Sequence, residues 1–172
     1  MFEWKIFRRN NNKQKVICVT GAVGTGKTYV SEKLAKALNY EYVDVTKLIK
    51  KNKISSGYDK KNHCELVDTK KLNKFLIEII SGFNSGVIID SHLSHYLPKK
   101  YINLCIVTKC DIKVLNERLK KRKYTKSKIK DNIEAEIFDV CLLESKKRKH
   151  NVLVLDTTKK VNINNLVDFI SK

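Results

Sequence analysis

Apolar residues recur along this chain with two different spacings, and the two alternate. Val16-Ile17-Cys18-Val19 and Val87-Ile88-Ile89 are continuous apolar runs with no polar face, the pattern of strands buried on both sides. Between and after them, apolar positions fall every three to four residues, as on helices with one buried stripe. Val30, Leu34 and Leu38 form one stripe; Leu72, Phe75, Leu76, Ile79 and Ile80 form a second; Ile133, Ile137, Phe138, Cys141 and Leu142 form a third. The pattern predicts strands at 15–20, 41–45, 86–90, 101–107 and 151–155, and helices at 27–38, 69–81, 111–122, 131–146 and 162–171. Asp68 or Thr69 would cap the 69–81 helix and Gly82 would end it. Strands interleaved with helices imply a five-stranded parallel sheet covered on both faces, an α/β three-layer sandwich. The 172 residues suit one domain, 15–172, preceded by a basic extension, 1–14, that carries Phe2, Trp4, Ile6 and Phe7.

The junction of the first strand and first helix reads Gly21-Ala22-Val23-Gly24-Thr25-Gly26-Lys27-Thr28. This is G-x-x-x-x-G-K-T, the phosphate-binding loop of P-loop NTPases. Glycines let main-chain N–H groups converge on an anion, and the helix start behind them adds its dipole. Lys27 is placed to reach the β- and γ-phosphates of a nucleotide, and the Thr28 hydroxyl to ligate Mg²⁺. In this architecture an acidic residue at the end of a neighbouring buried strand stands beside the loop and can hold the metal shell. Asp90, closing Val87-Ile88-Ile89, is the candidate. His92 either orients Asp90 or an attacking group, or serves the fold; the sequence leaves both open. Arg118 and Arg122 are four residues apart on a helix and so share a face. They open a stretch to Lys130 that holds eight basic residues and no acidic one. Arginines reaching in from a lid could neutralise charge on a transferring phosphoryl group. The polar segment from Lys47 to Asp68 is too long for a simple turn and would be the acceptor-binding flap of a kinase.

Charge sharpens this picture. Lys and Arg total 36 against 18 acidic residues, a net charge of +18. Either an anionic macromolecule is a partner, or lysine has accumulated on a solvated surface. Only five of the basic residues are arginines: Arg8, Arg9, Arg118, Arg122 and Arg148. Five cysteines show no C-x-x-C pair; Cys18, Cys105 and Cys141 fall at apolar positions, as expected of reduced thiols in the cytoplasm and not of a zinc site. No segment approaches the 18 apolar residues of a membrane span, so neither membrane nor signal peptide is expected.

From about Val16 to the C-terminal helix the chain resembles the adenylate kinase isoenzyme 6 family. The markers are Gly21 to Thr28, Ser56-Gly57-Tyr58-Asp59, Val87-Ile88-Ile89-Asp90-Ser91-His92, Val114-Leu115-Asn116-Glu117-Arg118-Leu119, Arg122-Lys123-Tyr124 and Asp131-Asn132-Ile133-Glu134-Ala135-Glu136-Ile137. The resemblance implies a broad-specificity nucleoside monophosphate kinase using ATP and Mg²⁺, AMP being the favoured acceptor. It also implies an ATPase active in small ribosomal subunit maturation, with a small-subunit ribosomal protein and rRNA as partners. It implies that Gly24, Thr25, Gly26, Lys27, Thr28 and Tyr29 hold the ATP phosphates, and that Asp90 and His92 stand beside Mg²⁺ and the attacking group. It further implies that Arg122 contacts ATP from a lid of about 121–131, and that Lys159 borders the adenine. The monophosphate would lie in the segment of about 44–68, against Lys50, Gly57, Tyr58 and Asp59. The chain departs from the family at two places. Lys123 replaces the glycine of R-G-Y, and no arginine lies between Arg9 and Arg118 to grip the acceptor phosphate. A lysine gives a point charge instead of a fork, which weakens acceptor binding and adds weight to the ATPase role. An ATP-driven assembly factor, or another small-molecule P-loop kinase, remains as an alternative.

Overall fold

The computed structural model describes residues 15–59 and 64–171. The basic extension over 1–14 and residues 60–63 of the expected acceptor segment lie outside the described residues. In chain order come β1 (Val16–Thr20), α1 (Lys27–Leu38), β2 (Glu41–Asp44), α2 (Val45–Asn52), β3 (Ser55–Asp59), β4 (Cys64–Val67), α3 (Thr69–Gly82) and β5 (Val87–Asp90). They are followed by β6 (Leu104–Lys109), α4 (Ile112–Lys121), α5 (Lys126–Ile137), α6 (Val140–Lys147), β7 (Val152–Asp156) and α7 (Ile163–Ser171). Short 3-10 turns at Ser94–Tyr96 and Lys99–Tyr101 join β5 to β6.

Five strands form one parallel sheet in the order β2-β5-β1-β6-β7. β1 lies at its centre with every residue buried. Alternate β1 residues feed two cores. Val16 and Cys18 pack with Leu72, Leu76 and Ile80 of α3 and Val45 and Ile49 of α2. Ile17 and Val19 pack on the opposite face with Val30 and Leu34 of α1 and Leu166 of α7. A third cluster of Cys110, Leu115 and Leu119, joined by Val23, Tyr124 and Ile133, lies under the turn from α4 to α5. The chain leaves β1 towards β2 on one side of the sheet, while β6 leads to β7 on the other. The carboxyl ends of β1 and β6 therefore flank a topological switch point, the place where open α/β sheets bind ligands.

One expectation is corrected, and one segment gains elements that the pattern did not predict. The helix expected over 131–146 is two helices, α5 and α6, separated at Phe138 and Asp139. Asp139 takes a left-handed φ of 52° while its carboxylate pairs with Lys109 of β6. The break splits the apolar stripe: Ile133, Cys141 and Leu142 pack inward, whereas Ile137 and Phe138 are 56% and 67% exposed. The polar stretch from Lys47 is also more regular than a loop. It continues α2, whose N-cap Asp44 accepts from the Lys47 amide, and then forms an antiparallel β3–β4 hairpin. Among the described residues no helix is long and apolar enough to cross a membrane.

Candidate functional site

The loop between β1 and α1 requires its glycines for steric reasons. Gly21 has φ 143°, and a Cβ there would stand 2.5 Å from the Thr108 carbonyl oxygen of β6. Gly24 has φ 96°, and a Cβ would stand 2.8 Å from Leu115 Cδ1 of α4. A side chain at either place would force the backbone off its path. Threonines hold the loop from beneath. Thr25 Oγ1 donates to the Ala22 carbonyl at 2.8 Å and lies 2.7 Å from Thr108 Oγ1. Thr108 in turn donates to the Thr20 carbonyl, and Thr157 donates to the carbonyls of Thr25 and Lys109. From α5, Asn132 Oδ1 accepts the Val23 amide at 3.1 Å.

Helix starts show what this loop leaves available. α2, α3, α4 and α5 each begin with a side chain accepting from first-turn amides: Asp44, Asp68, Asp111 and Thr125. α1 begins on Gly26 with no side-chain cap; α6 also lacks one, but the Asp139 carboxylate at its start is engaged by Lys109. The α1 amide donors and dipole are directed at the loop's concavity, which suits a bound anion.

Three charged or polar residues meet at this edge. Lys27 Nζ folds back on the loop carbonyls of Gly21 and Ala22 at 3.0 and 2.8 Å. Burial lowers its pKa, opposed by the nearby Asp90 carboxylate. Asp90, 6% exposed at the end of β5, accepts from Thr28 Oγ1 at 2.7 Å and from the Tyr42 hydroxyl at 3.0 Å, both on Oδ2. Burial raises the Asp90 pKa, and the Thr28 hydrogen bond and Lys27 charge oppose the rise. His92 follows two residues on. Surrounding protein lowers its pKa, with the Lys27 charge adding to this. Its residue surface is exposed. The hydroxyl and carboxylate oxygens of Thr28 and Asp90 are hard donors of the kind Mg²⁺ takes, so the residues fit that ion.

Beside the loop opens a cavity of about 650 Å³ lined by Gly24, Gly26, Tyr29, Arg122, Thr158 and Lys159, among others. Arg122 is exposed at the end of α4, facing no competing carboxylate among the described ion pairs. Arg118 also borders the cavity but its guanidinium is engaged: it donates to the Thr157 and Thr158 carbonyls at 2.8 and 3.3 Å and contacts Cys110 Sγ. The expected acceptor residues form a separate group. Lys50 is exposed on α2, and Gly57, Tyr58 and Asp59 lie on β3 of the two-stranded hairpin, with Tyr58 56% exposed.

The comparisons with known proteins agree with this arrangement. Residues 17–139 match the AAA domain family. The "Putative adenylate kinase" of Methanocaldococcus jannaschii is 39% identical over 90% of this chain and 82% of its own length. The "Adenylate kinase isoenzyme 6 homolog" of Dictyostelium discoideum is 32% identical over 94% of this chain and 91% of its own. The chain belongs to the adenylate kinase isoenzyme 6 family. A solved structure, TT1252 from Thermus thermophilus, shares the fold with a TM-score of 0.62 at 16% identity, over 92% of this chain and 96% of that one. As a member of the family the protein is an adenylate kinase-like nucleotide kinase with a P-loop.

Sequence reasoning missed the residues that brace the family's loop. Asn132 and Glu136 stand in the run that marked the resemblance, without a role there. Asn132 holds the Val23 amide, and Glu136, 4% exposed, accepts from the Cys110 amide and pairs with Lys109. Thr108, Thr157 and Tyr42 carried no signal, because each is an ordinary residue in or just after a strand, and only the sheet register brings it to the site.

Proposed function

We propose that this chain transfers the γ-phosphoryl group of ATP to a nucleoside monophosphate of broad base identity, AMP being favoured, to give two diphosphates. One observation carries the reading: α1 starts on an uncapped glycine, and Lys27, Thr28 and Asp90 converge on that start. The main-chain amides of Gly24, Thr25, Gly26 and Tyr29 bind the phosphate tail, and Lys27 leaves its loop carbonyls for the β- and γ-oxygens. Thr28 and Asp90 hold Mg²⁺, which when bound neutralises charge on those oxygens. Arg122 reaches the phosphates from the α4–α5 turn, and Lys159 borders the adenine. Arg118 acts through the Thr157-Thr158 backbone it grips and not directly on the phosphoryl group, which revises the catalytic role expected for it. His92, exposed two residues beyond Asp90, orients the attacking oxygen. Lys50, Gly57, Tyr58 and Asp59 take the monophosphate. Catalysis is positioning plus electrostatics, with no covalent intermediate.

The test is a product assay with ATP and Mg²⁺ offered AMP, CMP, UMP, GMP or water as acceptor. Diphosphate formation that depends on added monophosphate, fastest with AMP and lost in Lys27→Ala, is expected. Phosphate release indifferent to every monophosphate would overturn the kinase reading.

A second reading is favoured by a surface. Ile137, Phe138, Val140 and Leu143 are exposed together where α5 meets α6, on a chain of net charge +18. Such a patch suits a macromolecular partner. It supports a cytoplasmic ATPase acting in small-subunit ribosome assembly, with a ribosomal protein and adjoining rRNA as partners. Phosphate release without AMP that responds to that protein is the expected result; an unresponsive rate with no complex on pull-down would dismiss it.

A further inference from the structure

We propose that Tyr42 is a positioning residue for the metal-side carboxylate, its hydroxyl fixing the orientation of Asp90 for Mg²⁺. The inference rests on the reading that Thr28 and Asp90 flank that ion. Two donors, Thr28 Oγ1 at 2.7 Å and the Tyr42 hydroxyl at 3.0 Å, meet on one oxygen, Asp90 Oδ2. The Thr28 hydroxyl can donate its proton there while a lone pair faces a cation. Its own position then depends on where Asp90 stands. Tyr42 supplies the second point of attachment from a different strand. β2 pairs with β5 in register, Tyr42 beside Ile88 and Asp44 beside Asp90, so the tyrosine is anchored by the sheet and not by a loop. Its ring packs against the core that holds α1, while its hydroxyl reaches the carboxylate. Asp90 is almost fully buried, where a carboxylate with one donor has freedom to turn and with two on one oxygen has little. β2 also runs directly into α2, which carries Lys50. Tyr42 thus ties the strand that leads to the acceptor segment to the group that holds the metal.

Tyr42→Phe removes the hydroxyl and keeps the ring, so it separates positioning from packing. ATP affinity is measured by calorimetry with Mg²⁺ and again with the metal chelated. The native protein should bind ATP more tightly with Mg²⁺. Tyr42→Phe should lose about tenfold of that gain, near the low end for a hydrogen bond to a charged group, while binding without metal stays near the native value. The melting temperature should fall by a few degrees as the buried carboxylate loses a donor, so affinities are compared well below it. In an Asp90→Asn background the same substitution should have no further effect on the metal-dependent gain. A Tyr42→Phe protein that keeps the full gain, or an equal loss in both backgrounds, would overturn the inference. If the native protein binds ATP equally with and without Mg²⁺, the metal reading falls and this inference with it. If the native gain is present and only the tyrosine effect is missing, the metal reading stands alone.

Discussion

The phosphate loop and the acceptor segment are built on opposite principles. The loop is backbone held by buried threonines: Thr20, Thr25 and Thr108 are each fully buried, and Thr157 is 5% exposed. Gly21 and Gly24 have no room for a Cβ, and Gly26 holds a φ of 84°. The proposed acceptor segment is a short helix and a hairpin whose β3 residues are mostly exposed, and the side chains proposed to carry its chemistry, such as Lys50 and Tyr58, stand in solvent. Preorganised donors lose little when a ligand arrives, whereas exposed side chains must first be ordered. The nucleotide side should therefore be intolerant of change and tight, the acceptor side tolerant and weak.

The contrast is broken most severely at Lys27. Lys27→Ala should lower phosphoryl transfer by about 10²–10³-fold, the range for removing one preorganised group that meets developing charge, as read by coupled diphosphate formation. Gly21→Ala should unfold the loop's support, because its Cβ meets the Thr108 backbone oxygen. A loss of about 1–3 kcal/mol is expected from such overpacking, seen as a melting temperature lower by about 3–10 °C. On the acceptor side, Lys50→Ala should raise the AMP KM by only about two- to fivefold, as for an exposed ion pair, with the ATP KM little moved in steady-state kinetics.

Acid should act through the fold. His95 is 1% exposed; its Nδ1 lies 2.8 Å from Thr20 Oγ1 and its Nε2 2.7 Å from a Glu144 carboxylate oxygen. Burial lowers its pKa, opposed by Glu144 and assisted by Arg148 and His150; His150 is likewise lowered by burial. Unfolded histidines take up protons below about pH 6.5 while these stay neutral in the fold. Stability is then full above that pH and lost as the pH falls below it. Urea midpoints at pH 5.5 should be lower than at pH 7.5, and His95→Gln should flatten the difference. A small effect of opposite sign is expected at the α4–α5 turn. Lys123 holds φ 56°, so Lys123→Gly should raise stability, by about 1 kcal/mol at most, by relieving the left-handed conformation.

What the sequence made legible follows the same division. The phosphate loop could be read because its function is local: eight consecutive residues, one strand before and one helix after. The central strands could be read because burial on both faces leaves no polar position in Val16–Val19 or Val87–Ile89. The break between α5 and α6 could not, since Ile137 and Phe138 continue a helical stripe, and the Lys109 partner of the left-handed Asp139 lies 30 positions away. The bracing by Asn132, Thr108 and Thr157 joins residues 83 to 132 positions apart, and no window of the chain contains both partners. Arg118 was legible only in part: its spacing with Arg122 placed both at the cavity, but not the grip of its guanidinium on the Thr157 and Thr158 carbonyls, 39 and 40 positions away.

Everything turns on the phosphate tail as the handle by which the nucleotide is held. Calorimetric titration of the protein with ATP and with adenosine, both in Mg²⁺, tests this directly. ATP should bind at least about 100-fold more tightly than adenosine, a gap of roughly 2.7 kcal/mol, and the gap should shrink in Lys27→Ala. Equal affinities for the two, unchanged by that substitution, would contradict the account.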